Sequence, residues 1–440
     1  MSEYIEIAYA AATHRLCFLT GTGFSKAVSD DKAPSWQSLL EQLCGLLKDG
    51  DSLKEELFPD GKAKDLSLEE AAQVIALKFI LSGKNIYQEI EKIIASIELD
   101  PSIEYIQDFF KENTFKVITT NYDKLAEKLA GENRTCTITP GLPIPKYNCE
   151  VKVYHVHGSI DSPSDMVVTS EDYFRFINGN SYFSNKLSTV LHENTIVILG
   201  YSLSDANLKA IINEYKVFSR DNVMSSNIFL ISRGKLLQPI KDYYFSCFGI
   251  RVIDKTEVSD FFRKLNKKIP EAKKIKDKLR HSIKSVIKNG REYKIEFLKL
   301  EDSFYHIISS ISSSGYSWND EKVLNVFCDI IDKKIDLTKE SGAWEQYEHL
   351  AKWLIYFGSL FEVKGTNFEK KYIHAVEHSM TYMNKPYETG YSWRAYLAWK
   401  TKWPSLTASN RSLIKSKMEE IPLQQIHDII SKFMVMMPTY

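Results

Sequence analysis

Up to residue 255 the chain alternates short, near-continuous apolar runs with segments of helical spacing. The runs are Leu16–Leu19, Phe115–Ile118, Val151–Val156, Thr195–Leu199, Ile228–Ile231 and Ile250–Ile253. Each is rich in Val, Ile or Phe with few polar positions, as expected of strands buried on both faces of a parallel sheet. After the first run, Leu39, Leu40, Leu43, Leu46 and Leu47 recur at helical spacing, and Ser38 with Glu41 reads as a capping box. Strand–helix alternation of this kind predicts an α/β fold with a Rossmann-like open parallel sheet.

Beyond Asn266 the pattern changes. Between Arg263 and Lys294 there are thirteen Lys or Arg residues and three acidic ones, while Ile275, Leu279, Ile283 and Ile287 repeat every fourth position. This reads as a helix with one apolar stripe and a basic outer face. Six of the seven tryptophans fall after residue 317, and helical spacing continues through Ile426, Ile429, Ile430 and Phe433. The expected division is therefore a sheet domain over 1–266 and a mostly α-helical domain over 267–440, the latter serving oligomerisation, sensing or partner binding.

Composition changes this picture little. The 440 residues carry 57 basic and 57 acidic side chains, so net charge selects no partner class. The N-terminus has no basic region leading into an apolar stretch, so no secretory signal is read. No apolar run approaches the roughly 18–20 residues that span a bilayer. Cysteines at 17, 44, 136, 149, 247 and 328 form no Cys-x-x-Cys pair and suggest a reducing cytoplasm.

In an open α/β sheet, ligands bind beyond the carboxyl ends of the strands. Four polar clusters lie there. The first, Thr20-Gly21-Thr22-Gly23-Phe24-Ser25-Lys26, has glycines that let backbone approach a phosphate, with a helix N-terminus behind them, but lacks the third glycine of the usual dinucleotide fingerprint. The second, Thr119-Thr120-Asn121-Tyr122-Asp123, places an amide and a carboxylate at a strand end. The third, His155-Val156-His157-Gly158-Ser159, offers two histidines that would share a strand face, either suited to general-base work. The fourth is Gly200-Tyr201-Ser202-Leu203-Ser204-Asp205.

Taken in order, these clusters resemble the sirtuin family over about residues 10–265: Gly21 to Ser25 matches its Gly-Ala-Gly-x-Ser loop, Thr119 to Asp123 its Thr-Gln-Asn-x-Asp, His157-Gly158 its His-Gly and Gly200 to Ser202 its Gly-Thr-Ser. Pro34-Ser35-Trp36, Asp172-Tyr173 and Gly200-Tyr201-Ser202-Leu203-x-Asp205 resemble the bacterial sirtuin-like defence NADases. The four-cysteine zinc module of deacylases is missing, since no cysteine lies between Cys149 and Cys247, and their Asp-Phe-Arg is absent too. The resemblance implies an NAD glycohydrolase that cleaves NAD to nicotinamide and ADP-ribose in antiphage defence. NAD would be the substrate and no zinc is expected. Asn121 would orient the nicotinamide ribose and a water, with His157 as the base. Asp123 would lie near the carboxamide. Gly21, Thr22, Gly23, Ser25, Gly200 and Ser202 would hold the phosphates, and Ser232 with Arg233 the adenosine ribose. The resemblance further implies a homo-oligomer, with a HerA-type ATPase or another defence-system protein as partner. A deacylase or ADP-ribosyltransferase, and a non-catalytic NAD or ADP-ribose sensor, are the competing functions.

Two further motifs point elsewhere. His374-Ala375-Val376-Glu377-His378 matches the inverted zinc-protease pattern His-x-x-Glu-His, although its flanks suit an ordinary helix. The basic stretch 263–294 offers phosphate contacts to nucleic acid, but only Tyr293 interleaves it, so it reads mainly as a solvated helix face.

Overall fold

The computed structural model describes residues 2–421 apart from 62, 64, 144–147, 179–188, 191–192, 202–227, 280–284, 288–289, 291, 301–302, 315, 319 and 384–391. In its first part, helix α1 (Ser2–Ala12) leads into β1 (Leu16–Thr20), followed by α2 (Thr22–Val28), α3 (Trp36–Cys44), α4 (Gly50–Leu57), α5 (Leu68–Leu81), α6 (Ile86–Ala95) and α7 (Glu104–Glu112). Then come β2 (Phe115–Thr119), α8 (Leu125–Ala130), β3 (Thr135–Ile138), β4 (Val151–His155), α9 (Ser170–Asn178), β5 (Thr195–Leu199), β6 (Ile228–Ile231) and β7 (Ile250–Ile253). Six strands coincide with the six apolar runs to within a residue at each end.

The seven strands form one parallel sheet in the order β3-β4-β2-β1-β5-β6-β7. The chain leaves β1 toward β2 on one side and later returns to β5 on the other, so the strand order reverses at β1. Register aligns the carboxyl ends around that point: Thr20 pairs with Thr119 and Leu199, and Thr119 with His155. The loops that begin at Gly21, Thr120, Val156 and Gly200 therefore emerge at one level.

Both faces of the sheet are covered, which is why its strands lack polar alternation. On one face Phe18, Phe109, Phe110, Phe115 and Phe262 pack ring against ring, with centroids 4.9 Å apart for Phe110–Phe115 and 5.4 Å for Phe18–Phe262. On the other, Leu19, Ile118, Tyr154, Ile198 and Leu230 form a second apolar layer. Helix Val258–Leu279 packs along α1 and runs past residue 266, and its Ile269 and Ala272 stay buried in the first of these layers. The helices from Ile295 to Glu419 enclose their own core, with Trp318, Phe327, Phe357, Tyr372, Trp399 and Trp403 fully or almost fully buried.

The structure corrects three local readings. Helix α3 starts one turn before Ser38: Ser35, extended at φ −67°, ψ 164°, caps it by accepting from the Ser38 N–H at 3.1 Å, and Glu41 instead accepts from Gln37 Nε2. Strand β3 is an edge strand with no apolar run to announce it. Cys136 on β3 is disulfide-bonded to Cys149. Spacing could not reveal this pair, because parallel pairing of β3 with β4 is what brings the two ends of the connection together. Of the basic-stretch stripe, Ile287 is buried among the C-terminal helices; Ile283, like Ile426 to Phe433, lies outside the described residues.

Candidate functional site

The site is built where β1, β2 and β5 end. Two glycines allow its tightest approach. The Gly21 N–H donates to the Leu199 carbonyl (3.0 Å) and the Gly23 N–H to the Gly200 carbonyl (2.9 Å). Gly200 has φ +71°, and a Cβ there would lie 1.9 Å from the Phe24 nitrogen. These glycines thus weld the β1 loop to the β5 end, and two amides expected to face a phosphate already have carbonyl partners. Tyr201 follows, its hydroxyl 2.8 Å from Thr120 Oγ1.

Ser25, from the first turn of α2, meets the β2 loop. Its hydroxyl donates to Asp123 Oδ2 at 2.6 Å and accepts from Asn121 Nδ2 at 2.7 Å. Residues nearly a hundred positions apart thus form one hydrogen-bonded cluster. Asp123 also accepts from the Leu125 N–H at 3.0 Å. Burial pushes its carboxyl pKa up, against the pull of Ser25 and Leu125.

The two histidines do not share surroundings, because β4 ends at His155 and Gly158 turns the chain at φ +82°. His157 is buried, with its ring edge-on to Tyr173 (5.4 Å) and Phe176 (5.2 Å). That apolar setting pushes its pKa down to about 4, so the ring is neutral near pH 7. His155 is fully buried and points the other way: Nδ1 lies 3.0 Å from the Asn121 carbonyl and Nε2 2.9 Å from Glu127 Oε1. Glu127 also accepts from Thr137 and pairs with Lys124, which in turn contacts Asp161. Neither Glu127 nor Lys124 stands out in the sequence, since a carboxylate and a lysine at helical positions read as solvated charges.

The outer positions stand apart. Ser232 is bonded to the neighbouring end of β7, its N–H donating to the Ile253 carbonyl and its carbonyl accepting from the Thr256 N–H, while its hydroxyl donates to the Gly234 carbonyl, and Arg233 is exposed. Ser202 lies outside the described residues. In helix Glu369–Tyr382, His374 is exposed while His378 hydrogen-bonds Thr338 Oγ1 at 2.9 Å, an ordinary helix face and no metal pair. Among the described residues no group of three His, Cys, Asp or Glu side chains is placed to hold a metal ion.

Comparison with known proteins gives a match at the level of the domain. The SIR2-like domain model matches residues 116–253, which hold Asn121, Asp123, His157 and Gly200. Defense-associated sirtuin 2 of Bacillus subtilis is 23% identical over 260 residues, covering 58% of this chain and 24% of that protein. NAD(+) hydrolase ThsA of Bacillus cereus is 32% identical over 108 residues, 23% of each chain. The ThsA of Cytobacillus dafuensis is 26% identical over 162 residues, 35% of this chain and 32% of that one. The matches thus span about a quarter to a third of these relatives' own lengths.

Proposed function

We propose that this chain, which carries a SIR2-like domain, is an NAD glycohydrolase that releases nicotinamide and ADP-ribose from NAD and acts in defence by depleting it. The observation that carries the reading is the Ser25–Asn121–Asp123 cluster at the point where strand order reverses, the crevice in which α/β sheets hold nucleotides. The names of the relatives support the same substrate and setting.

Breaking the nicotinamide–ribose bond sends its electron pair to the departing nicotinamide and leaves positive charge on the ribose. A water then bonds to that carbon and gives up a proton. Asn121, its amide anchored on Ser25, orients the ribose and the water, and Asp123 lies toward the carboxamide. Neutral His157 takes the proton. Gly21, Thr22, Gly23, Gly200 and Ser202 shape the phosphate side, the glycines mainly by permitting close approach, and Ser232 contributes toward the adenosine ribose. Residues 267–440 form the unit that assembles copies of the chain or meets a defence partner such as a HerA-type ATPase, and the protein works in the cytoplasm.

The test incubates purified full-length protein with NAD, with and without an acylated peptide, and follows nicotinamide, ADP-ribose and acyl-ADP-ribose. Nicotinamide release without peptide is expected. His157→Ala should lower it by about 10²–10⁴-fold, the usual contribution of a general base. Release that requires peptide would replace this reading with deacylation, and tight NAD binding without release would replace it with sensing.

A further inference from the structure

His155 lies between two groups that only accept hydrogen bonds. On one side is the Asn121 carbonyl at 3.0 Å, which has no proton to give; on the other is Glu127 Oε1 at 2.9 Å. Donors other than His155 hold the Glu127 carboxyl ionised: its Oε1 also accepts from the Thr137 hydroxyl at 2.9 Å and pairs with the Lys124 ammonium at 3.1 Å. A neutral imidazole carries one N–H, which would leave one acceptor facing a ring lone pair at hydrogen-bond distance, with the ring itself fully buried. Only the doubly protonated ring satisfies both neighbours.

We propose that His155 is a buried imidazolium that clamps the Asn121 main-chain carbonyl and so fixes the Asn121 amide on Ser25, acting as a positioning residue for the NAD chemistry. This rests on the reading above only for its kinetic consequence.

The charges that face the ring favour the cation. From α8 comes Glu127 and from the β2–α8 loop Asp123 and Lys124, the lysine being paired with Asp161 in the loop after β4. Thr137 on β3 donates to Glu127 and holds it in place. Two carboxyl groups, Glu127 and Asp123, thus stand against one ammonium group, and that ammonium is itself paired with Asp161. Asn121 is fixed at three atoms: its N–H donates to Thr119 Oγ1, its side-chain amide to Ser25, and its carbonyl accepts from His155.

The first test needs no turnover. Long-range ¹H–¹⁵N spectra of the full-length protein with labelled histidine are recorded about two pH units above the ordinary imidazole value. One histidine should keep both ring nitrogens protonated, and its signals should vanish in His155→Gln. In Glu127→Gln the same ring should lose a proton, because the amide can donate to it. A ring with a single protonated nitrogen in the wild type overturns the proposal. The second test is kinetic. His155→Gln, which retains one donor, should lower kcat for nicotinamide release about 10²-fold, as a misplaced catalytic group does, with little change in KM for NAD. In the wild type, kcat should fall at high pH as the ring loses its proton, and that limb should be absent in His155→Gln. Unchanged kcat and an unchanged alkaline limb in a folded His155→Gln protein overturn the positioning role. A wild type that releases no nicotinamide defeats the NAD reading, while the spectra still decide the state of the ring.

Discussion

At the scale of single residues, burial together with the partners available sets two histidines, two positions apart, in opposite charge states. His157, among aromatic rings, has its pKa pushed down to about 4 by burial. Between its unfolded value near ~6.5 and ~4, the unfolded chain binds a proton that the folded chain refuses, so stability is lost as pH falls through that window, in total on the order of 3 kcal/mol. For His155, burial favours the neutral ring but Glu127 prevails and raises its pKa. Its contribution is complete below the unfolded value and is lost as pH rises through the raised one. Denaturant unfolding across pH should therefore show both limbs, and His157→Phe, which suits the Tyr173 and Phe176 rings, should flatten the acid limb alone. An acid limb of undiminished slope in that variant would refute the assignment. Ser25→Ala should destabilise the protein by about 1–3 kcal/mol, because it strands the Asn121 amide and the Asp123 carboxylate, and should lower kcat for nicotinamide release together with it. Chemical denaturation and the nicotinamide assay measure the two effects. The serine and the Asn-x-Asp pair were each legible in the sequence as polar residues after apolar runs. Their mutual hydrogen bonds were not, because about a hundred residues separate them along the chain.

At the scale of elements, the site depends on how closely the β1 loop and the end of β5 approach. Gly200 sits in the left-handed region, and any side chain there meets the Phe24 nitrogen. Gly200→Ala should cost more than about 3 kcal/mol, since backbone strain and a backbone clash combine, and should be visible as a drop in Tm of the full-length protein. A melting curve like that of the wild type would mean that the two loops part without penalty. Strand existence followed directly from apolar runs wherever a strand is buried on both faces. It failed for β3, where four residues at the sheet edge need no such run, and for the start of α3, where Ser35 and Ser38 offer equally good caps and only the path of the chain chooses between them.

At the scale of the whole molecule, a buried polar network joins the sheet to the C-terminal helices. Arg251 on β7 pairs with Glu6 on α1 at 2.8 Å, and Tyr356 on helix Trp344–Leu360 donates to the same Glu6 oxygen at 2.6 Å. The Arg251 guanidinium also lies 4.5 Å from the Phe229 ring centroid. A second ion pair joins Arg411 to Asp242. Arg251→Met leaves the Glu6 carboxylate buried without its cation and should destabilise the protein by about 3–5 kcal/mol. Equilibrium unfolding followed by near-UV circular dichroism measures this, and a loss below about 1 kcal/mol would show that the carboxylate finds another partner or water.

The sequence by itself determined the parallel α/β sheet, the helical character of the C-terminal part and the strand ends at which polar residues gather. These follow from local patterning, since burial on both faces or on one stripe is written into every element separately. Only the tertiary structure decided which of those polar residues meet. Parallel register set the strand ends at one level, joined Ser25 to Asn121 and Asp123, gave two glycine amides to carbonyls of the neighbouring strand, and turned His155 away from His157 toward Glu127. Such pairings depend on distance in space and on the local dielectric, neither of which the linear order of residues specifies.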